Sequence, residues 1–245
     1  MGNRNHRLWK TAAILGTSIA SIELFNRFVF NWKSKETFCG NGHIHEWTHG
    51  KTFYKKQEGG DGRPILLIHD LYPDQSGDQM EKLALQLSQK RTVYSMDLLG
   101  CGRSEKPACT YTNFLYVLQI TDLIEKEIKQ PVHLVTKGCS AEIAIAAAHY
   151  KPEYFSQLTF LDPADRKENK KIPDSISKIK KFLIELPMLG TLVYNMAFFN
   201  SKSAHIGGTT ARYLYASIIG RYTNYDVEWM LHKLDMPLHI IKTME

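Results

Sequence analysis

The stretch VHLVTKGCSAEIAIAAAHYKPE, residues 132–153, joins a short apolar run, a glycine and a helical pattern. Residues 132–135 lack the alternation of polar and apolar side chains found in half-exposed strands, so they predict a strand buried on both faces. Residues 140–150 are typical of a helix. The chain is therefore predicted to turn sharply between strand and helix near Gly138.

Strands and helices alternate on both sides of this unit. Further buried strands are predicted at residues 64–70, 92–98 and 155–163, and helices at residues 77–91 and 112–128. This order predicts an α/β fold built on a doubly wound, mostly parallel sheet.

Local signals add detail before and within this region. Residues 43–57 alternate on either side of His49-Gly50, which predicts a hairpin with a tight turn. Gly59, Gly60 and Gly62 indicate a loop, and Thr112 is a candidate N-cap for the helix that follows it.

The alternation stops at about residue 164. Four helical segments are predicted at residues 175–186, 189–199, 211–220 and 227–234, followed by one more buried strand at residues 236–242. Ending directly after a buried strand leaves an edge exposed, which folded proteins usually cover. One hypothesis is therefore that the sequence is a fragment of a longer chain.

Residues 1–35 form a separate N-terminal segment. Arg4, Arg7 and Lys10 precede the uncharged residues 11–22, a pattern typical of membrane targeting. Glu23, Asn26 and Arg27 interrupt the apolar run, which is short for a helix that spans a membrane. Residues 1–32 predict either a helix at a membrane surface or a helix packed on the domain, so the expected location is cytoplasmic or membrane-associated.

Composition excludes several function classes. The formal net charge is +6, but the basic residues are scattered, and the run at residues 166–181 fits a solvated helix face, so no nucleic-acid partner is predicted. The four cysteines show no C-x-x-C pair and no histidine at zinc spacing. We expect neither a metal nor a cofactor.

Four segments resemble the α/β-hydrolase fold, in the branch of single-domain esterases and lipases with a helical lid. They are LLIHDLYPDQS (66–76), DLLGCGRSEKP (97–107), which matches D-x-x-G-x-G-x-S-x-x-P, the elbow LVTKGCSAE (134–142), and LDMPLHII (234–241) after the helical insert. The resemblance covers residues 43–245, with a lid at about residues 164–235. It implies a carboxylic-ester or related acyl hydrolase that holds a small acyl or ester ligand under the lid.

The resemblance also implies where the chemistry lies. It places an oxyanion loop at His69, Asp70 and Leu71, and a nucleophile elbow at Gly138, Cys139 and Ser140. The family usually has glycine where this chain has Asp70, whose carboxylate has the wrong sign for a site where negative charge develops.

The elbow itself allows two registers. Counting small-x-nucleophile-x-small from the strand puts Gly138 at the apex, which leaves no nucleophile. The G-x-S register makes Ser140 the candidate nucleophile, with Cys139 as the weaker alternative. Ser140 would serve equally well as a helix N-cap.

The partners of a nucleophile are also atypical. Asp162 or Asp165 could supply the acid, although both suit a turn around Pro163. His205, His232 and His239 lie downstream of the elbow, but none occupies the loop where the resemblance puts the base. We therefore expect a hydrolase with impaired catalysis, a pseudoenzyme; the alternative is a non-enzymatic, membrane-associated binding or scaffold protein.

Overall fold

The fold is built on a mixed sheet flanked by helices. The computed structural model describes residues 2–33, 41–164, 174–201, 203–206, 208–224 and 226–242. The strands are β1 (His43–Trp47), β2 (Gly50–Ile68), β3 (Arg91–Met96), β4 (Val132–Lys137), β5 (Phe155–Leu161) and β6 (Leu238–Ile241). The helices are α1 (Gly2–Lys33), α2 (Glu81–Ser88), α3 (Asn113–Leu123), α4 (Ser140–Tyr150), α5 (Ser175–Glu185), α6 (Leu189–Ala197), α7 (Arg212–Ile219) and α8 (Glu228–Leu231).

The central strands pair in parallel, as predicted. The carboxyl-terminal part of β2 pairs with both β3 and β4, β4 pairs with β5, and β5 pairs with β6, all in parallel. The hairpin is confirmed, because β1 runs antiparallel to β2 with Trp47 opposite Gly50. The mostly parallel α/β sheet predicted from the sequence is therefore present.

The glycine-rich stretch inside β2 differs from the prediction of a loop. Residues 59–62 stay extended, and the pairing with β3 shifts there, with Asp61 and Gly62 both opposite Arg91. A Cβ on Gly59 would lie 2.2 Å from the carbonyl oxygen of Ser88, so glycine permits the backbone to approach this closely. The stretch is an irregular part of a strand instead of a free loop.

Both faces of the central strands are buried. Leu66 and Leu134 face one cluster, which includes Ile143 of α4, while Leu67 faces a second cluster, which includes Ala84 of α2. Adjacent residues of a strand point to opposite faces, so an apolar run without alternation fills two cores at once. Thr112 is confirmed as the N-cap of α3, since its side chain accepts from the N–H of Leu115.

A helical insert, here α5 to α8, lies between β5 and β6. α8 is only one turn long and is shorter than the predicted segment at residues 227–234. β6 differs from the prediction of a buried strand, because Ile240 and Ile241 are more than half exposed. An edge strand lacks a neighbour on one side, which accounts for this exposure within the described residues.

The N-terminal helix α1 extends for 32 residues. Near its carboxyl end it packs on α6, where Asn26 and Val29 are buried. Across the described residues, every helix falls short of the combination of length and apolar character needed to cross a membrane.

Candidate functional site

The strand–turn–helix unit has Gly138 at its turn. Gly138 follows β4, adopts a left-handed backbone with φ of 57°, and donates its N–H to the carbonyl of Leu161 at 3.0 Å. Residues with a side chain rarely adopt this conformation, so glycine suits the position on backbone grounds alone. The residue at the apex of the elbow therefore has no side chain that could act as a nucleophile.

The side chain of Asp70 fills the space above this glycine. A Cβ placed on Gly138 would lie 2.4 Å from Cγ of Asp70 and 2.5 Å from each of its carboxylate oxygens. Oδ1 of Asp70 also accepts the backbone N–H of Cys139 at 2.7 Å. In an active elbow, the N–H of the residue after the nucleophile stabilises the oxyanion. Here the protein's own carboxylate takes that donor.

Ser140 lies in the first turn of α4 and is fully buried. Its Oγ donates to the carbonyl of His69 at 2.6 Å. The N-cap interpretation of Ser140 is wrong, because Cys139 holds the cap position and the Ser140 hydroxyl points to another loop. The geometry gives Ser140 a bridging role between the elbow and the oxyanion loop, and its candidacy as a nucleophile stays a prediction.

His69 is buried between the end of β2 and the loop after β3. Its Nε2 accepts the N–H of Leu98 at 3.0 Å, so the proton resides on Nδ1, which donates to the carbonyl of Asp70 at 2.7 Å. Burial lowers the pKa of His69, which favours the neutral ring. With both nitrogens engaged by backbone, His69 is suited to orient the oxyanion loop.

The D-x-x-G-x-G-x-S-x-x-P segment serves the backbone of the same region. The carboxylate of Asp97 accepts the N–H groups of Gly77 at 2.6 Å and Arg103 at 2.7 Å. Ser104 donates its hydroxyl to the carbonyl of Asp97 at 2.6 Å and accepts the N–H of Phe53 at 2.9 Å. The polar groups of these residues bond to the backbone of the loop, which explains why the motif indicates the fold more than the chemistry.

Three ionised groups in or beside this loop were not identified from the sequence. Lys106 is buried, with Nζ donating to the carbonyl of Gly102 at 2.7 Å, and burial lowers the pKa of Lys106 to about 8. Arg103 forms a two-pronged ion pair with Asp78, at 2.9 and 2.6 Å. Burial opposes ionisation of Asp78, but the bonds from Arg103 and Lys55 dominate and lower its pKa to about 2. The only sequence signal for Lys106 and Arg103 is their position in the motif, and Asp78 has none.

The candidate acid and base residues are spread over several elements. Asp162 directly follows β5, has φ of 45° and donates its N–H to the carbonyl of Ile241 at 2.9 Å, while Asp165 lies outside the described residues. His205 is buried in the helical insert, with Nδ1 2.7 Å from the carbonyl oxygen of Ser201. His232 caps α8 and His239 lies in β6. Their catalytic roles stay predictions.

A cavity of about 500 Å³ lies between the oxyanion loop and the helical insert. Tyr72 and Asp74 line one side, and residues 196–201 line the other. The rings of Tyr72 and Phe198 are in contact, with centroids 5.6 Å apart. Among the residues that the structure describes, no group of three or more His, Cys, Asp or Glu side chains is arranged to hold a metal ion.

Sequence comparison with known proteins matches part of the chain. No family model matches the chain. Uncharacterized proteins of Mycobacterium tuberculosis and Mycobacterium bovis are 29% identical over 99 residues, which is 40% of this chain and 28% of each relative. The chain therefore matches less than a third of the length of these curated relatives.

Solved structures match over most of the chain. A probable hydrolytic enzyme of Pseudomonas aeruginosa PAO1 has a TM-score of 0.64 at 18% identity, over 84% of this chain and 74% of that one. The thioesterase domain from the curacin biosynthetic pathway has a TM-score of 0.61 at 18% identity, over 82% of each chain. A haloalkane dehalogenase variant from Bradyrhizobium elkanii has a TM-score of 0.62 at 14% identity, over 82% and 79%.

These neighbours are hydrolases of one architecture. The parallel sheet, the turn at Gly138 and the helical insert before β6 agree with it. The chain therefore has the α/β-hydrolase fold.

Proposed function

We propose that this chain is a catalytically impaired member of the carboxylic-ester and acyl hydrolases, which keeps their fold without serine-based turnover. The observation that carries the proposal is the carboxylate of Asp70, which sits against Gly138 and accepts the N–H of Cys139. These residues belong to the elbow and the oxyanion loop alone, so the proposal holds wherever the acid and base of a triad would lie.

The first support is the missing nucleophile. Acyl transfer by this fold needs an exposed hydroxyl, thiol or carboxylate at the apex of the elbow. Gly138 has none, and Ser140, two residues later, is fully buried with its hydroxyl donated to His69. Attack by Ser140 would require that bond to break and the first turn of α4 to move.

The second support is electrostatic. The tetrahedral intermediate of ester hydrolysis carries an oxyanion that is stabilised by preorganised N–H donors. Asp70 already supplies an anion to the Cys139 N–H, and two anions in one site repel each other. Even with a nucleophile, this elbow would disfavour the transition state.

A direct test measures hydrolysis of p-nitrophenyl acetate and butyrate, together with labelling by a fluorophosphonate probe. We expect the same slow background rate for the protein and for its Ser140→Ala and Asp70→Asn variants, and no labelling. Turnover that Ser140→Ala abolishes would overturn the proposal in favour of a serine hydrolase. Turnover that only Asp70→Asn abolishes would overturn it in favour of a carboxylate nucleophile.

The alternative is a non-enzymatic binding protein, and the cavity lined by Tyr72, Asp74 and residues 196–201 favours it. Its size is within the range of pockets that take small organic ligands. A ligand that binds only the folded state raises the melting temperature with concentration. Short and medium fatty acids should then stabilise the protein, while Tyr72→Ala should weaken the effect and Leu85→Ala, an exposed position on α2, should not.

A further inference from the structure

The apolar side of α5 faces outward. Ile176, Ile179 and Phe182 are 64%, 58% and 62% exposed, and Leu183 extends the same stripe. The opposite side of the helix packs on the insert through Ser177 and Ile184. An amphipathic helix of a globular protein normally buries its apolar stripe, so α5 presents the surface that it would be expected to hide.

α6 repeats this arrangement. Leu189, Val193 and Met196 lie at i, i+4 and i+7 and share an exposed side, with Met196 67% exposed. Tyr194 and Asn195, on the other side, are fully buried. Helices α5 and α6 are in contact, so their two exposed stripes bring more apolar side chains together than the scattered apolar residues of an ordinary surface. These two stripes are called the patch.

Helix α1 is fastened to the buried side of α6 by polar groups. Nδ2 of Asn195 donates to Oδ1 of Asn26 at 2.9 Å, and Nδ2 of Asn26 donates to the carbonyl of Met188 at 3.2 Å. Leu24 and Phe25, on the same part of α1, remain exposed. The N-terminal helix thus adds its own apolar residues beside α6.

Charge indicates what covers the patch. At about 100° per residue, Ile176, Ile179, Phe182 and Leu183 span an arc of about 120° on α5. Lys178 and Lys180 are exposed and project on either side of this arc. Lysines at the edges of an apolar stripe extend their stems over hydrocarbon and their ammonium groups toward anionic headgroups. The net charge of +6 has the same sign.

We propose that α1, α5 and α6 form a monotopic binding surface for an anionic lipid bilayer, which the protein contacts through its helical insert without crossing the membrane. The surface extends well beyond the N-terminal segment, because most of its exposed apolar residues belong to the insert. This proposal does not depend on whether the elbow is catalytically active.

The test is cosedimentation with phosphatidylcholine vesicles, with and without about one third phosphatidylglycerol, at low and high salt. We expect binding to the anionic vesicles, weakened at least about tenfold in the double variant Ile179→Ser/Phe182→Ser, because about 60% of each side chain would enter the interface. The matched control is Leu85→Ser on α2, which is 56% exposed and should bind as the parent does.

A second variant separates charge from apolar insertion. Lys178→Gln/Lys180→Gln should weaken binding several-fold and reduce its dependence on salt. All substituted residues are exposed, so melting temperatures should stay close to that of the parent, which guards against unfolding as the cause. Equal binding by the parent and the Ile179→Ser/Phe182→Ser variant would overturn the proposal. So would a dimer in light scattering that this variant dissociates, without binding to either vesicle, since a second copy would then cover the patch.

Discussion

Substitution of Gly138 by alanine offers a quantitative probe of the elbow. Alanine at φ of 57° adopts a left-handed backbone, which costs roughly 1–2 kcal/mol. Its Cβ would also meet the Asp70 carboxylate at about 2.4 Å, and the carboxylate would have to leave the Cys139 N–H. Losing a hydrogen bond to a charged group costs roughly 1.5–3 kcal/mol. We expect Gly138→Ala to lower the free energy of unfolding by about 3–5 kcal/mol.

A double-mutant cycle isolates the contact with Asp70. Asp70→Gly removes the carboxylate and its bond to Cys139, at a cost of about 1–3 kcal/mol. In that background Gly138→Ala should cost only the backbone term, so the double variant should be more stable than the sum of the single effects by about 2 kcal/mol. Unfolding in urea monitored by tryptophan fluorescence, with a constant m-value, measures all four corners of the cycle.

Gly208 provides the control for backbone strain. It has φ of 98°, and a Cβ there would meet no atom within 4 Å, so Gly208→Ala tests a positive φ without a clash. Its cost should be roughly 1–3 kcal/mol and should add to that of Asp70→Gly. Additive effects of Gly138→Ala and Asp70→Gly, within about 0.5 kcal/mol, would mean that Asp70 does not lie against the elbow in solution.

Three further predictions concern stability. The pKa of Asp78 is lowered to about 2 because the bonds from Arg103 and Lys55 outweigh burial, so its contribution to stability is present above about pH 4 and fades as the pH falls toward 2. At 38% exposure of the side chain this contribution amounts to about 1 kcal/mol. Arg103→Met should remove most of it in urea unfolding at neutral pH, since Lys55 still bonds to Asp78, and should matter little at pH 2. Burial lowers the pKa of Lys106 from 10.5 to about 8, so between these pH values the folded state holds fewer protons than the unfolded state. The free energy of unfolding should therefore increase with pH in this range, by up to about 1.4 kcal/mol per pH unit. Lys106→Met should abolish this slope. Asn26→Ala should release α1 from α6 and speed tryptic cleavage after Arg27, whereas Asn31→Ala, at an exposed position of the same helix, should leave the cleavage rate unchanged.

The parts of the fold that follow from local pattern were predictable from the sequence. Residues 132–135 form a buried strand because an apolar run without alternation suits a strand covered on both faces. Thr112 caps α3 through its own side chain, which is a contact over three residues. The sharp turn at Gly138 was also predictable, because a glycine directly after a buried strand suits a left-handed backbone.

Long-range placement accounts for what the sequence did not reveal. The Ser140 hydroxyl could bond locally as a helix cap or to a carbonyl 71 positions away in the sequence. Only the tertiary structure shows that it bonds to the carbonyl of His69. The periodicity of residues 175–185 predicts an apolar stripe, but the same stripe would serve a helix facing inward or outward. Asp70 could be recognised as having the wrong sign for an oxyanion loop, yet its contact with Gly138 depends on how two strand ends meet.

Several features of the elbow satisfy the backbone independently of any catalysis. A left-handed turn favours glycine whether or not a nucleophile is present, and Asp97 holds two backbone N–H groups in any version of the loop after β3. The Cys139 N–H, by contrast, is a donor that an active enzyme leaves for its substrate, and an unpaired buried donor costs about 1–3 kcal/mol. Asp70 satisfies it permanently. Under the proposed function, the absent side chain at Gly138 and the carboxylate of Asp70 are compatible: where no oxyanion forms, an anion supplied by the chain stabilises the turn without any catalytic penalty.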